Sequence, residues 1–292
     1  MNKPLMYDKE NTEDDKCQRW RNGRESYRPA GELIQVEQDG YFAEVIPRSI
    51  AKEFVSEHHY QKSYPAQKLN VGLYRDGIKG THELCGVATF SIPSNNKVFA
   101  RYIDGGTIYN SSELGRFVLL DDVPGNGETW FLSRAFKQLK EKKPEIESIL
   151  SFSDPVRRTS LCGKETMPGH IGTIYQAHNG RFVGMSNKKR LVLTDEGISV
   201  DPRMVSKLRN MESGYGYARE WIEKNTGKVM GANESPVDFV NRAKASLRTY
   251  RHPGNYAYLW PLFDNKKERR EIERRFLPAL NFPKQKLTAA QV

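Results

Sequence analysis

The chain has 292 residues, 37% hydrophobic and 28% charged, enough for one large domain or a medium one with appendages. No apolar run approaches the ~20 residues that span a bilayer, and Cys17, Cys85 and Cys162 lack paired spacing, so the composition argues against a membrane protein, a disulfide framework or a CxxC zinc site. A formal charge of +10 favours polyanionic partners, among them nucleic acid and CoA.

The first 30 residues are polar, without the apolar stretch of a signal peptide, and read as a loose tail. Together with the unpaired cysteines, this fits a reducing cytoplasm. Tyr41–Ile46 alternates like a strand, and Pro47 opens a helical stretch in which Ile50, Phe54 and Val55 are spaced for one apolar face. Leu69–Tyr74 and Leu84–Ile92 read as an antiparallel hairpin around the turn DGIKGT. A polar excursion follows, then a strand in ELGRFVLL, the turn DDVPGNGET and a helix with Trp130, Phe131, Ala135 and Leu139 inward. Ile146–Phe152 is the next strand, ending at Ser153-Asp154-Pro155; a glycine-bounded helix GHIGTIYQAHNG and a strand RFVGMSN come after it. Residues 195–250 read as a helical insertion, and YAYLWPL as the last strand.

This order predicts an α+β fold: a mixed, mostly antiparallel sheet flanked by helices, of the kind used by N-acetyltransferases, with a helical insertion before the last strand. The expected organisation is a tail over 1–30, a catalytic core over 31–194, the insertion over 195–250, and a final strand with a basic C-terminal helix or tail over 251–292.

Charge is concentrated late in the chain. Between Arg242 and Arg275 ten Lys/Arg face four acids, with Tyr250, Tyr256, Tyr258 and Trp260 interleaved as candidate stacking groups for bases. Arg157 and Arg158, after Asp154, add two more cations, and with Arg248 and Arg251 they are the candidate DNA contacts.

Chemistry could sit at several places. Gly125-Asn126-Gly127 lies between a strand and a helix, where converging N–H groups favour a phosphate; the acidic Asp121-Asp122 pair counts against it. In the acetyltransferase superfamily this loop holds the CoA pyrophosphate, and Asp122 stands where that family has Arg or Gln. His58-His59-Tyr60 ends the first helix with several proton carriers or ligands, or is simply a favourable helix C-terminus. Asp154 ends a strand, where a carboxylate lines a cleft or caps the next segment. Arg116 on a central strand needs an acid or an anionic ligand. Strand alternation puts Glu113 on the opposite face, which leaves Asp154 as the candidate partner. Tyr175, one turn into its helix, is either a proton donor or a core aromatic.

The segments FVSEHHYQKSYP, VGLY, LCGVATFSIP, ELGRFVLLDDVPGNGETWFLSRAFKQLK, SFSDP with GHIGTIYQAHNGRFVG, and RHPGNYAYLW resemble, in order and spacing, the phage Mom family. They span roughly residues 42–262, and ELGRF and GHIGTIYQA are the most specific. The resemblance implies an acetyltransferase-like enzyme that converts adenine in double-stranded DNA to N6-carbamoylmethyladenine and shields phage or prophage DNA from restriction. It implies acetyl-CoA and iron as cofactors. It carries functional roles onto His59, Tyr60, Arg116, Asp154 and Tyr175, and more loosely onto Tyr74, with His59, Tyr60 and Asp154 as the metal ligands. The segment VRRTSLCGKETMP departs from the family in its length. Two other functions suit the same residues: plain acyl-CoA-dependent acetyl transfer to a protein or small amine, and a non-enzymatic DNA-binding accessory role.

Overall fold

The computed structural model describes residues 15–21, 24–29, 40–59, 63–77, 80–245, 247–284 and 286–287. In chain order its elements are β1 (Asp15–Arg21), β2 (Arg24–Pro29), β3 (Tyr41–Val45), α1 (Arg48–His58), β4 (Ala66–Asp76), β5 (His82–Ile92), α2 (Val98–Tyr102), β6 (Ser111–Leu119), α3 (Gly127–Lys142) and β7 (Ser148–Ser153). There follow β8 (Arg158–Thr159), β9 (Glu165–Met167), α4 (Thr173–Ala177), β10 (Arg181–Met185), β11 (Lys189–Leu193), α5 (Pro202–Arg209), α6 (Tyr215–Thr226), α7 (Pro236–Ala245), β12 (Arg248–His252), β13 (Tyr256–Pro261) and α8 (Lys266–Arg274).

The chain divides into two compact units. The first takes the chain up to Ser153, with Gly172–Gly184 and Tyr256–Lys284; the second takes Asp154–Ile171, Met185–Asn255 and Gln285–Val292.

In the first unit a seven-stranded sheet runs β10-β13-β7-β6-β5-β4-β3. The β3/β4, β4/β5, β5/β6 and β7/β13 pairings are antiparallel, and β6/β7 is parallel. This is the α+β architecture with a mixed, mostly antiparallel sheet. One apolar cluster packs α1 (Ala51, Phe54, Val55) on Ile46, Val87 and Val118. A second gathers Phe99, Tyr102, Leu150, Ala257, Leu259, Ile272 and Phe276.

Several expectations change within this unit. Ile50 is 39% exposed, and Ala51 takes the inward position instead. The excursion after β5 is not featureless: it holds α2, whose Phe99 and Tyr102 are fully buried. Trp130 is half-buried, with the Arg134 guanidinium 3.8 Å from its ring centre. Tyr256, Tyr258 and Trp260 are buried in β13 as core aromatics, so they offer no platform for bases. The basic end of the chain is partly neutralised, through Lys140–Glu268, Arg269–Glu273 and Arg275–Glu147. Within the stretch read as a loose tail, the described residues form the antiparallel pair β1/β2.

The second unit packs α5, α6 and α7 around Val205, Leu208, Ala218, Ile222, Phe239, Val240 and Ala243. Asp201 starts α5 by accepting from the Arg203 N–H at 2.8 Å, with Pro202 at the first helical position. The departing segment after Asp154 contains the small antiparallel pair β8/β9. β11 and β12 pair antiparallel, a ladder that the helical reading of residues 195–250 missed at its C-terminal end. No described helix is long and apolar enough to cross a membrane.

Candidate functional site

The parallel pair β6/β7 is short. Ser111, Ser112 and Glu113 pair with Ser148, Ile149 and Leu150, and beyond that point the two strands part. The Ser151 hydroxyl donates to the Leu114 carbonyl at 3.1 Å, in place of a ladder bond, and Tyr175 from α4 is hydrogen-bonded to Ser151. The fork thus carries a buried phenol at its apex. Tyr175 packs against Tyr258 and Trp260, ring centres 5.4 Å away in each case. Burial pushes its pKa up, while the Ser151 hydrogen bond pulls it down, so the phenol keeps its proton at neutral pH. Gly172 precedes α4 at φ +76°, and an added Cβ would stand 2.7 Å from the Tyr258 ring and 3.0 Å from that of Tyr175. This is why the glycine-bounded motif needs glycine there: the turn is left-handed and the rings lie against it.

β6 explains the ELGRF motif. Thr89 pairs with Arg116 but Phe90 pairs with Leu114, so Gly115 is an extra residue in a bulge. The bulge reverses the alternation that the sequence implies, and Glu113 and Arg116 come to the same face. Each acts electrostatically on Tyr175, Glu113 raising and Arg116 lowering its pKa. Burial pushes the Glu113 carboxyl up, and the Arg116 charge opposes that shift. Arg116 donates through Nε to the Ser63 carbonyl (2.9 Å) and through Nη2 to the Ser63 hydroxyl (2.8 Å). The partnership expected with Asp154 is replaced by these bonds and by the field of Glu113. A group with a raised carboxyl pKa, a fixed guanidinium and a neutral phenol can accept one proton, hold an anion and donate another proton. Glu113 was passed over in the sequence because the bulge at Gly115 is invisible to strict alternation.

A second polar cluster lies inside the second unit, around Asp154. One carboxyl oxygen accepts from His252 Nε2 (2.8 Å) and the Val156 N–H (3.1 Å); the other accepts from Arg158 Nη1 (2.8 Å). His252 Nδ1 accepts from the Gly254 N–H at 3.1 Å, which fixes the tautomer with its proton on Nε2. These donors hold the Asp154 carboxyl far below the usual carboxylate range despite its burial. His170, from the GHIG motif, is driven down to about 4 by desolvation, against the pull of Asp154. Asp154 is therefore a permanently charged anchor with three donors and a poor proton acceptor. His252 had no role in the sequence reading, although it sits in the quoted segment RHPGN.

Tyr74 stacks on Phe42 (ring centres 5.4 Å) beside the α1 cluster. His59 is buried at the C-cap of α1, and Tyr60 lies outside the described residues. Gly127 opens α3, but its N–H is bonded to the Pro124 carbonyl (2.9 Å), while the Asn126 carbonyl accepts from Trp130 (3.0 Å). Glu128, buried in the first turn, already faces the positive end of that helix, and Asp122 is paired with Arg75 at 2.5 Å. Of the DNA candidates, Arg158 is buried on Asp154, Arg157 is paired with Glu165, and Arg248 donates to the Thr159 and Thr194 carbonyls; Arg251 alone is exposed without a partner among the described residues. Cys85 is buried, its thiol pushed up to about 12, and Cys162 is exposed.

An iron centre on His59, Tyr60 and Asp154 finds no support in these donors. Asp154 already accepts three hydrogen bonds, Tyr60 lies outside the described residues, and among the described residues no three His, Cys, Asp or Glu side chains gather as metal ligands.

A model described as the Mom protein family matches residues 41–278. The chain belongs to the Mom protein family. Methylcarbamoylase mom of Escherichia phage Mu is 25% identical to this Mom-family chain over 154 residues. That match takes in 53% of the chain and 58% of the phage Mu protein, less than two thirds of the relative's length. Among solved structures, a tandem GNAT protein from the clavulanic acid biosynthesis pathway, without AcCoA, covers 70% of the chain and 86% of its own at 8% identity and a TM-score of 0.34. The family match takes in the fork residues Glu113, Arg116 and Tyr175 and the Asp154–His252 anchor.

Proposed function

We propose that this Mom-family chain is a DNA base-modifying transferase that converts adenine in double-stranded DNA to N6-carbamoylmethyladenine, with the β6/β7 fork as its reaction site. The observation that carries the reading is the family match over residues 41–278, which includes the whole fork.

The product bonds the adenine nitrogen to a CH2 carbon, so attack on a thioester carbonyl does not yield it. As that bond forms, N6 must lose a proton. The balanced step is displacement at the CH2 carbon of a carbamoylmethyl donor: the N–C bond forms as the bond from that carbon to its leaving group breaks, Glu113, its pKa raised by burial, takes the N6 proton, and Tyr175 protonates the departing group beside the Arg116 charge. The family resemblance also implies acetyl-CoA, whose pyrophosphate would be held near Gly125, Asn126 and Gly127; its methyl carbon bears no leaving group, so it is not the donor in this displacement. N6 lies in the duplex, and an enclosed acceptor site requires flipping the base at a cost of a few kcal/mol.

The test is nucleoside mass spectrometry of digested DNA from cells expressing the chain, beside a Glu113→Gln control. Deoxyadenosine heavier by one carbamoylmethyl group, and lost in the control, is the expected result. Unmodified adenine with folded protein would discard the reading in favour of acetyl transfer to a protein or small amine.

A further inference from the structure

The second unit holds 17 Lys/Arg against 10 Asp/Glu, seven of the chain's ten excess positive charges. Its nine arginines differ sharply in what they touch. Arg157, Arg158, Arg203, Arg219 and Arg242 are paired with carboxylates of the same unit. Arg209 donates to the Asn241 side chain at 2.6 Å, and Arg248 to two carbonyls. Two arginines, Arg190 and Arg251, are exposed and have no partner among the described residues. These two stand directly opposite each other on the β11/β12 ladder.

Like charges directly opposite on neighbouring strands repel, and a fold gains nothing from keeping them there. In this ladder the alternating positions have different surroundings. Leu191 and Leu193 are buried, and they lie on the face shared with Tyr250 and His252, whose ring is the donor to Asp154. Arg190, Arg251 and the exposed Thr249 point to the other face, and the exposed Lys188 precedes β11. Asp195 and Glu196 come after the far end of β11, beyond Leu193. The ladder is thus anchored on one face by the Asp154 network and presents on the other a guanidinium pair that no described carboxylate neutralises. Planar, always-charged forks match phosphate oxygens bidentately, and two of them on adjacent strands suit consecutive phosphates.

We propose that the β11/β12 ribbon is a phosphate-backbone clamp for duplex DNA, with Arg190 and Arg251 as its contacts. The proposal rests on the DNA-modification reading for the identity of its occupant. The clamp reads no sequence: its contacts are to the backbone, so it sets affinity and register and leaves base choice to the reaction site.

The experiment is a salt titration of the affinity of the full chain for a fluorescent DNA duplex, repeated for Arg190→Gln/Arg251→Gln. Each lost phosphate contact lowers the slope of log K against log salt by about one, so the double variant should lose about two units of slope, alike for duplexes of unrelated sequence. Its melting temperature should be equal to or above that of the wild type, because a repulsion has been removed. The exposed pair Lys224 and Lys228 in the same unit serves as a matched control, and Lys224→Gln/Lys228→Gln should keep the wild-type slope. An unchanged slope in the arginine variant, or an equal loss in the lysine variant, overturns the clamp. Preference for an RNA duplex, with the arginine-dependent slope seen only there, overturns DNA as the occupant. The modification reading is judged separately, by the adenine mass of DNA from cells expressing the wild type. A wild type that modifies DNA while the arginine variant binds normally sinks the clamp alone.

Discussion

Glu113 and Asp154 are both acids near strand ends, and their surroundings send them in opposite directions. Asp154 receives His252, Arg158 and a backbone N–H and stays charged; Glu113 is half-buried and opposed only by Arg116, so its carboxyl rises. Glu113→Gln should therefore lower adenine modification by about a hundredfold or more, the usual effect of losing a proton acceptor, while circular dichroism stays native. His170 gives a pH prediction. Its folded pKa of about 4 lies below the ordinary histidine value of 6.5, so the unfolded chain binds the extra proton between these values. Stability from this residue is complete above pH 6.5 and declines as pH falls toward 4, by about 3 kcal/mol at most. Denaturant midpoints measured at pH 7 and pH 4.5 should differ less in His170→Gln than in the wild type; equal differences would mean that His170 is not desolvated.

At the scale of elements, the bulge in β6 decides which residues meet. Gly115 packs against Ser91 and Pro65, and an added Cβ would overlap the Ser91 hydroxyl and sit 3.3 Å from Pro65. Gly115→Ala should cost about 1–3 kcal/mol by overpacking, and it should shift Arg116 away from Ser63. Chemical denaturation reads the first effect and the loss of modified adenine reads the second. A variant with full stability and full activity would show that the bulge does not organise the fork. α4 is only five residues long, yet Tyr175 is buried against the aromatic wall of β13, where Tyr258 and Trp260 pack on it. A short helix carries a fixed phenol here because the sheet, rather than the helix, supplies the packing.

For the molecule as a whole, charge is divided unevenly, with seven of the ten excess positive charges in the second unit. Association with DNA should weaken with salt in proportion to the number of phosphates engaged. For two contacts, a rise from 50 to 200 mM salt lowers affinity about tenfold. The rate of modification at low DNA concentration should follow that fall, and the rate at saturating DNA should not. A rate independent of salt at low DNA would show that this charge plays no part in association.

Much of the core was legible because its periodicities are local. The strands at Leu69, Leu84 and Ser148 are apolar runs that are buried, and Phe54 and Val55 of the helix after Pro47 and Phe131, Ala135 and Leu139 of the helix after Gly127 lie inward as their spacing implies, whereas Ile50, Trp130 and the strand at Tyr41 do not follow it. The motif ELGRF and the glycine-bounded helix were visible as unusual, and the family resemblance followed from their order. What stayed hidden depends on contacts between residues far apart in sequence. Asp154 meets His252 across 98 residues, and Glu113 joins Arg116 only through a bulge set by pairing with β5. Arg190 faces Arg251 only because β11 and β12 pair, and Arg158 is lost to solvent only because Asp154 takes it. Sequence determines which side chains are available and the local period in which they repeat. Register, burial and the competition of donors for a carboxylate are settled in tertiary structure, because hydrogen-bond and electrostatic energies depend on distances that no linear spacing encodes.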